Sequence, residues 1–423
     1  MDIQRITSPG GITAFLVEHH DNPLIALRFA FRGGSAQDPE GKGGLSYFVT
    51  GMMDEGAGDM DAAAFQEKEQ ELAVHMDFNT SRDLVTCSYQ TLTARKDDAF
   101  DLLKTVLTEP RFDADATERV KGQILAGLKL DQNNPVNVAS RAWSELAFDG
   151  HPYSLPIKGS FDTVPAIMPE DLKSYANRVF ARNNLIVVAV GDIDPETLAK
   201  DLDHIFGGLP EKSELASVPD AKLVSGPVRE IVEMDIPQSI VQFGQQGVMR
   251  SDPEFLPAYV LNYIIGGGGF NSRLMEEVRV KRGLAYSVNS HLFPFQHAAV
   301  FMGRVATKNE AVAESLSVIK QELSRIAEEG PTEDELDDAK RYLTGAYALR
   351  FDSSSSIANQ LLFLEVEGLG VDYVHERNDL IEAVTLEDVK QVAHRMLGTD
   401  RLITTIVGKP VEAEADPSLG EMA

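Results

Sequence analysis

Apolar and polar positions in the first half of the chain follow two periods. Alternation, or short apolar runs bounded by Gly and Pro, predicts strands over residues 11–18, 24–31, 76–80, 84–91 and 185–190. Spacings of three and four predict helices over residues 44–55, 62–71, 94–109, 114–131, 136–148 and 169–181. Residues 33–39 are turn-rich. The order of these elements predicts an α+β sandwich with helices against one sheet face. Gly207, Gly208, Pro210, Pro219, Gly226, Pro227 and Pro237 punctuate residues 207–238, which read as a linker.

Beyond the linker the pattern returns. Glu170-Asp171-Leu172-Lys173 matches Glu387-Asp388-Val389-Lys390, and the run 185–191 matches 402–408, both at an offset of 217. Ala176 and Arg178 match Ala393 and Arg395 at the same offset, and Asp115 and Lys121 match Asp334 and Lys340 at 219. So long a period indicates a duplicated domain rather than a solenoid. The expected division is an N-terminal domain 1–206, the linker 207–238, a C-terminal domain 239–410 and a tail 411–423 without a core pattern.

The most distinctive stretch is 266–288. It opens on Gly266, Gly267, Gly268 and Gly269, a run that permits close backbone approaches. Asn271 or Ser272 can cap a helix whose apolar side is Leu274, Met275 and Val278. Gly283 is placed to end that helix, and a strand restarts over 284–288. Arg279 sits near the helix end and Tyr286 in the strand, seven residues on. Taken alone, they fit a dipole-compensating arginine and a half-buried strand aromatic. The glycines lack the G-x-G-x-x-G and Gly-Lys-Ser/Thr patterns of phosphate loops, and a tight structural turn also fits them. Glu276 and Glu277 read as a solvated helix face.

The glycine run, Ser272-Arg273-Leu274, Arg279 and Arg282-Gly283-Leu284-Ala285-Tyr286 together resemble the second-half signature of the pitrilysin and mitochondrial-processing-peptidase family of inverzincin zinc peptidases. The resemblance extends, more weakly, over both halves and the linker. It implies two homologous α/β sandwich domains joined like the halves of a clam shell. It also implies that Arg279 and Tyr286 contact peptide held at a zinc ion, and that Gly266–Gly269 form a loop touching substrate or partner.

Active members of that family carry H-x-x-E-H on a first-half helix, with two histidines on one helical face and a glutamate base. Here the lead Gly43-Gly44-Leu45-Ser46 is present, but Tyr47 and Gly51 stand at the histidine positions and Thr50 at the base position. The third ligand position falls on Gly127. The nine histidines contain no i, i+4 pair to replace the motif. The expectation is no metal on this chain. The resemblance then implies a chain inactive alone: the metal-free subunit of a heterodimeric zinc endopeptidase. A homologous partner bearing H-x-x-E-H would hold the zinc, and peptides would be the substrates. The alternatives are a non-catalytic scaffold, like the core subunits of respiratory complexes with this fold, and a peptide-binding homodimer.

Composition narrows the picture. The net charge of −27 argues against nucleic acid, which needs clustered Lys and Arg. No run approaches a membrane span. The single cysteine, Cys87, excludes an intrachain disulfide and reads as a strand-buried thiol. No secretion signal is visible in residues 1–30, which fits a cytoplasmic protein or a mature exported form. The resemblance favours the periplasm, where bacterial relatives are commonly found.

Overall fold

In strand Leu24–Arg32, Ile25, Leu27, Phe29 and Phe31 point to one side and Ala26, Arg28 and Ala30 to the other, as the two-residue period requires. All of these side chains are buried, so both faces of this strand need a cover. The strand lies inside a six-stranded sheet. Its order is Gln4–Thr7, Thr13–Glu18, Leu185–Gly191, Leu24–Arg32, Leu84–Leu92, His75–Thr80, antiparallel except between Thr13–Glu18 and Leu185–Gly191. The computed structural model describes residues 1–411.

The face with the large side chains packs on the helices around Lys96–Thr108, Pro169–Val179 and Pro195–Phe206. There Phe29 meets Phe206 edge-on at 5.2 Å and Phe31 stacks on Phe180 at 4.8 Å. The alanine face is covered by helix Ser354–Val366, from the other half of the sequence, through Ala358, Leu361, Leu362 and Leu364. Arg28 fixes that helix, donating from Nε to Asn359 Oδ1 at 2.7 Å, and Arg32 donates to the Val366 carbonyl at 3.0 Å.

The second sheet runs Ala285–Pro294, Ala299–Lys308, Gln238–Gln246, Ile403–Gly408, Val228–Glu233, parallel only at the last pair. On one face, Val241, Phe243, Phe301 and Ile406 join the apolar sides of helices Val312–Glu329 and Leu386–Met396. The other face is covered by helix Pro135–Ala147, again from the opposite half of the sequence. Its Trp143 is fully buried and donates Nε1–H to the Ile403 carbonyl at 3.2 Å, and Thr405 Oγ1 donates to the Ala139 carbonyl at 3.1 Å. A Cβ at Gly244 would lie 2.7 Å from the Trp143 ring, so the strand gives way to the indole at that point.

Packing therefore divides the chain differently from the contiguous halves expected. One unit comprises Met1–Leu128, Pro156–Val218 and Ala348–His375; the other comprises Lys129–Leu155, Pro219–Tyr347 and residues 376–411. Each unit holds a helix drawn from the other half of the sequence. For the same reason, the sheet of the first unit has helices on both faces, not one.

The duplication is visible in detail. Helices Pro169–Val179 and Leu386–Met396 both carry an Asp at the third position, Asp171 and Asp388, that accepts the N-cap backbone N–H at 2.8 and 2.9 Å. Strands Leu185–Gly191 and Ile403–Gly408 both end on a glycine with positive φ, 144° and 147°.

Other expectations shift. The helix expected over 44–55 is only Leu45–Thr50, because the chain turns at Gly51 into the short ladder of Gly56–Ala57 with Met60–Asp61. The far end of the expected linker is the edge strand Val228–Glu233, whose mostly exposed side chains carry a weak pattern. Helix Pro195–Phe206 had a readable start, Asp194 before Pro195, with the Asp194 side chain accepting the Thr197 N–H. The tail expected from 411 lies, from residue 412, outside the described residues.

Trp143→Ala removes the largest side chain between helix Pro135–Ala147 and its sheet. Chemical denaturation should show a loss of about 3–5 kcal/mol, and a loss below about 1 kcal/mol would mean that this helix is not an essential cover.

Candidate functional site

Helix Leu45–Thr50, on the first unit, is held at its start by Asp38. The Asp38 carboxylate accepts the backbone N–H groups of Gly44 at 2.9 Å and Ser46 at 2.8 Å. Burial pushes the Asp38 carboxyl up to about 7, against the lowering effect of those N–H groups. Tyr47 is half-buried against the core of this unit, and Thr50 Oγ1 donates to the Tyr47 carbonyl at 2.9 Å. Gly51 ends the helix, and a Cβ there would touch Val120 Cγ1 at 3.5 Å, an ordinary contact with helix Ala114–Asp131. Gly127 lies on that same helix with open space where its Cβ would be.

A phenol, a hydroxyl turned to its own helix and two residues without side chains do not fit a zinc ion, which takes imidazole, thiolate or carboxylate ligands. Of the two carboxylates that follow in sequence, Asp54 is exposed, and Glu55 is buried and accepts two bonds from Arg119, at 2.7 and 2.5 Å. Among the described residues, no three His, Cys, Asp or Glu side chains come together as a metal cage.

The glycine run, on the second unit, is built differently from the flexible loop expected. Helix Phe255–Asn262 widens into a π-helical turn, Tyr263–Gly267, so the first two glycines are helical. A Cβ at Gly266 would lie 2.6 Å from the Ser290 backbone nitrogen, and one at Gly268 would lie 2.8 Å from the Tyr263 carbonyl oxygen. These two are glycine because neighbouring backbone approaches too closely for a side chain. Only Gly269 has positive φ, 59°, and its backbone faces open space.

After a short turn the chain re-enters a helix at Arg273, again with a wide π-helical stretch, Met275–Val280. Arg273 anchors it, pairing with both oxygens of Glu335 at 2.7 Å and with Glu322 at 3.2 Å. Glu277 is not part of a solvated face. It is buried, pairing with Lys281 at 2.7 Å and Arg282 at 2.6 Å, which hold its carboxyl below its ordinary pKa. Glu276 is exposed, as expected.

Arg279 and Tyr286 are brought together. The Arg279 guanidinium carbon lies 4.5 Å from the Tyr286 ring centroid and 4.7 Å from that of Phe270. Among the described residues, no carboxylate lies within ion-pairing distance of Arg279. Tyr286 is 75% exposed rather than half-buried. The register explains this: Ala285 pairs with Thr307 and Ser287 with Ala306, leaving Tyr286 as the extra residue of a β-bulge. A bulge re-aims a side chain, and here it turns the phenol outward. Alternation alone predicts the opposite. Phe270 carried no signal in the sequence beyond being a large apolar residue among glycines.

A model of "Insulinase (Peptidase family M16)" matches residues 14–160 of this chain, and a model of "Peptidase M16 inactive domain" matches 166–343. The chain is 28% identical to a "non-peptidase homolog YmxG" of Helicobacter pylori, over 88% of this chain and 86% of that one. It is 26% identical to an "uncharacterized zinc protease" of Streptomyces coelicolor, over 94% and 87%. Its fold matches the crystal structure of a peptidase M16 inactive domain from Pseudomonas fluorescens with a TM-score of 0.91, at 28% identity over 98% and 99% of the two chains.

Two arginines on one helix should respond oppositely. Arg273→Ala takes the cation from half-buried Glu335, while Glu322 keeps Arg325, and should cost about 1–3 kcal/mol in denaturant unfolding, whereas Arg279→Ala should cost less than about 1 kcal/mol. Asp38 should make stability pH-dependent. Its folded pKa, about 7, lies above the ordinary value of 3.8, so its contribution is full below about pH 4 and lost as pH rises through 7. Asp38→Asn does not titrate, so its stability deficit against the natural chain should narrow between pH 5 and pH 8 in parallel unfolding series.

Proposed function

This chain belongs to the M16 (insulinase/pitrilysin) peptidase family, and from that premise we propose that it is the metal-free subunit of a two-chain zinc endopeptidase. The observation that carries this reading is the contrast between its two candidate regions. Positions 47, 50, 51 and 127 offer no metal ligand, while a half-buried Arg279 and an exposed Tyr286 stand in contact, with no carboxylate paired to the arginine among the described residues.

A phenol can donate a hydrogen bond to a peptide carbonyl oxygen as it gains charge, and such a donor acts mainly on the transition state. A guanidinium presents a fork of N–H donors that suits peptide carbonyls. Tyr286 and Arg279 take these roles toward peptide bound by a homologous partner chain that carries H-x-x-E-H and the zinc. The ion would supply the activated water, and this chain supplies the donors and part of the peptide-binding surface. Of the glycines, Gly267 and Gly269 are exposed and face the peptide, while Gly266 and Gly268 set the shape of the turn. An assembly scaffold would have no use for a bulge that turns Tyr286 into solvent.

The test is reconstitution with an M16 chain from the same source that bears H-x-x-E-H. Either chain alone should cleave unfolded peptides slowly or not at all. With both present, Tyr286→Phe should lower kcat by about 10²-fold, as removal of one such donor does, with a smaller change in KM. Undiminished turnover by the Tyr286→Phe complex would remove the proposed role.

A further inference from the structure

We infer that Phe270 is a positioning residue for Arg279: it seats the guanidinium by ring contact and so leaves the N–H donors available to the oxygens of an extended peptide. The inference rests on the functional reading above and adds to it the means by which the cation is held.

Phe270 lies between Gly269, with φ of 59°, and Asn271 in the short turn Gly269–Asn271. It is 67% exposed and belongs to no apolar cluster among the described residues. Its packing partner is the Arg279 guanidinium, 4.7 Å from the ring centroid. Tyr286 provides a second ring at 4.5 Å. An arginine is usually fixed by a carboxylate, as Glu335 and Glu322 fix Arg273. A carboxylate would occupy the donors and cancel the charge. An aromatic face attracts the cation through its quadrupole and takes up none of the N–H groups.

The neighbouring cations are already committed, Lys281 and Arg282 to Glu277 and Arg325 to Glu322. Arg279 is thus the member of this group whose donors remain for a ligand. The matching ligand chemistry is a peptide carbonyl oxygen, whose two lone pairs can accept from both arms of the fork, or the terminal carboxylate of a peptide. Lysine, a compact point charge without a planar fork, would not replace Arg279.

The experiment is a double-mutant cycle on the two-chain complex. The probe is a fluorescein-labelled unfolded peptide, prepared with a free C-terminus and with an amidated one, and read by anisotropy. Phe270→Leu and Arg279→Ala should each weaken binding at least fivefold. In the Arg279→Ala background, Phe270→Leu should add less than twofold, and Phe270→Tyr should bind within twofold of the natural chain. Unchanged melting temperatures would show that the losses are not unfolding. Equal binding of the amidated and free peptides assigns the oxygens to backbone carbonyls; loss on amidation assigns them to the terminus. If Arg279→Ala weakens binding and Phe270→Leu does not, or if their effects simply multiply, the role of Phe270 is overturned and that of Arg279 stands. If Arg279→Ala and Tyr286→Phe are both silent in binding and turnover, the functional reading itself is overturned.

Discussion

A β-sheet that is apolar on both faces needs two covers, and in this chain the second cover always comes from a distance. Ala26, Ala30, Val188 and Val190 turn a smooth, small-residue face toward helix Ser354–Val366. Ile240 and Val407 turn theirs toward helix Pro135–Ala147, where Gly244 makes room for Trp143. Removing water from that apolar area is the main favourable term. The few polar contacts, from Arg28, Arg32, Trp143 and Thr405, mainly fix where each helix lies along its sheet.

The two candidate regions use the same material in opposite ways. Helix Leu45–Thr50 keeps the capping aspartate, the glycine lead and the contact with helix Ala114–Asp131, yet what it presents is Tyr47, Thr50 and Gly51. The element is capped and packed without any side chain fit to hold a metal ion. In the second region, Arg273 and Arg279 lie six residues apart on one helix. One is spent on Glu335 and Glu322 and holds the element in place; the other is steadied by two rings. Charge pairing and aromatic contact thus hold two arginines within less than two turns of one helix.

Much of this was legible in the sequence because it is written in local patterns. The strand at 84–91 shows its alternation, the capping aspartates 171 and 388 sit at equal offsets, and Gly191 and Gly408 close equivalent strands. The loss of ligands at 47, 50, 51 and 127 can be read by inspection. What the sequence hides is anything set by partners far along the chain. Periodicity shows that residues 136–148 have an apolar side but not which sheet receives it. The burial of Glu277 depends on Lys281, Arg282 and the helix that packs behind it. The exposure of Tyr286 depends on one missing register step, for which the sequence has no mark. Phe270 becomes intelligible only once Arg279 is seen over its ring.

The reciprocal loan of helices has a topological consequence. A nick in the irregular stretch between helix Pro195–Phe206 and strand Val228–Glu233 would produce two polypeptides, each still threaded through a body built mainly by the other. Such fragments would stay clasped without any covalent bond between them. Neither could be made alone as a finished module, and so the two halves are bound to one another's inheritance.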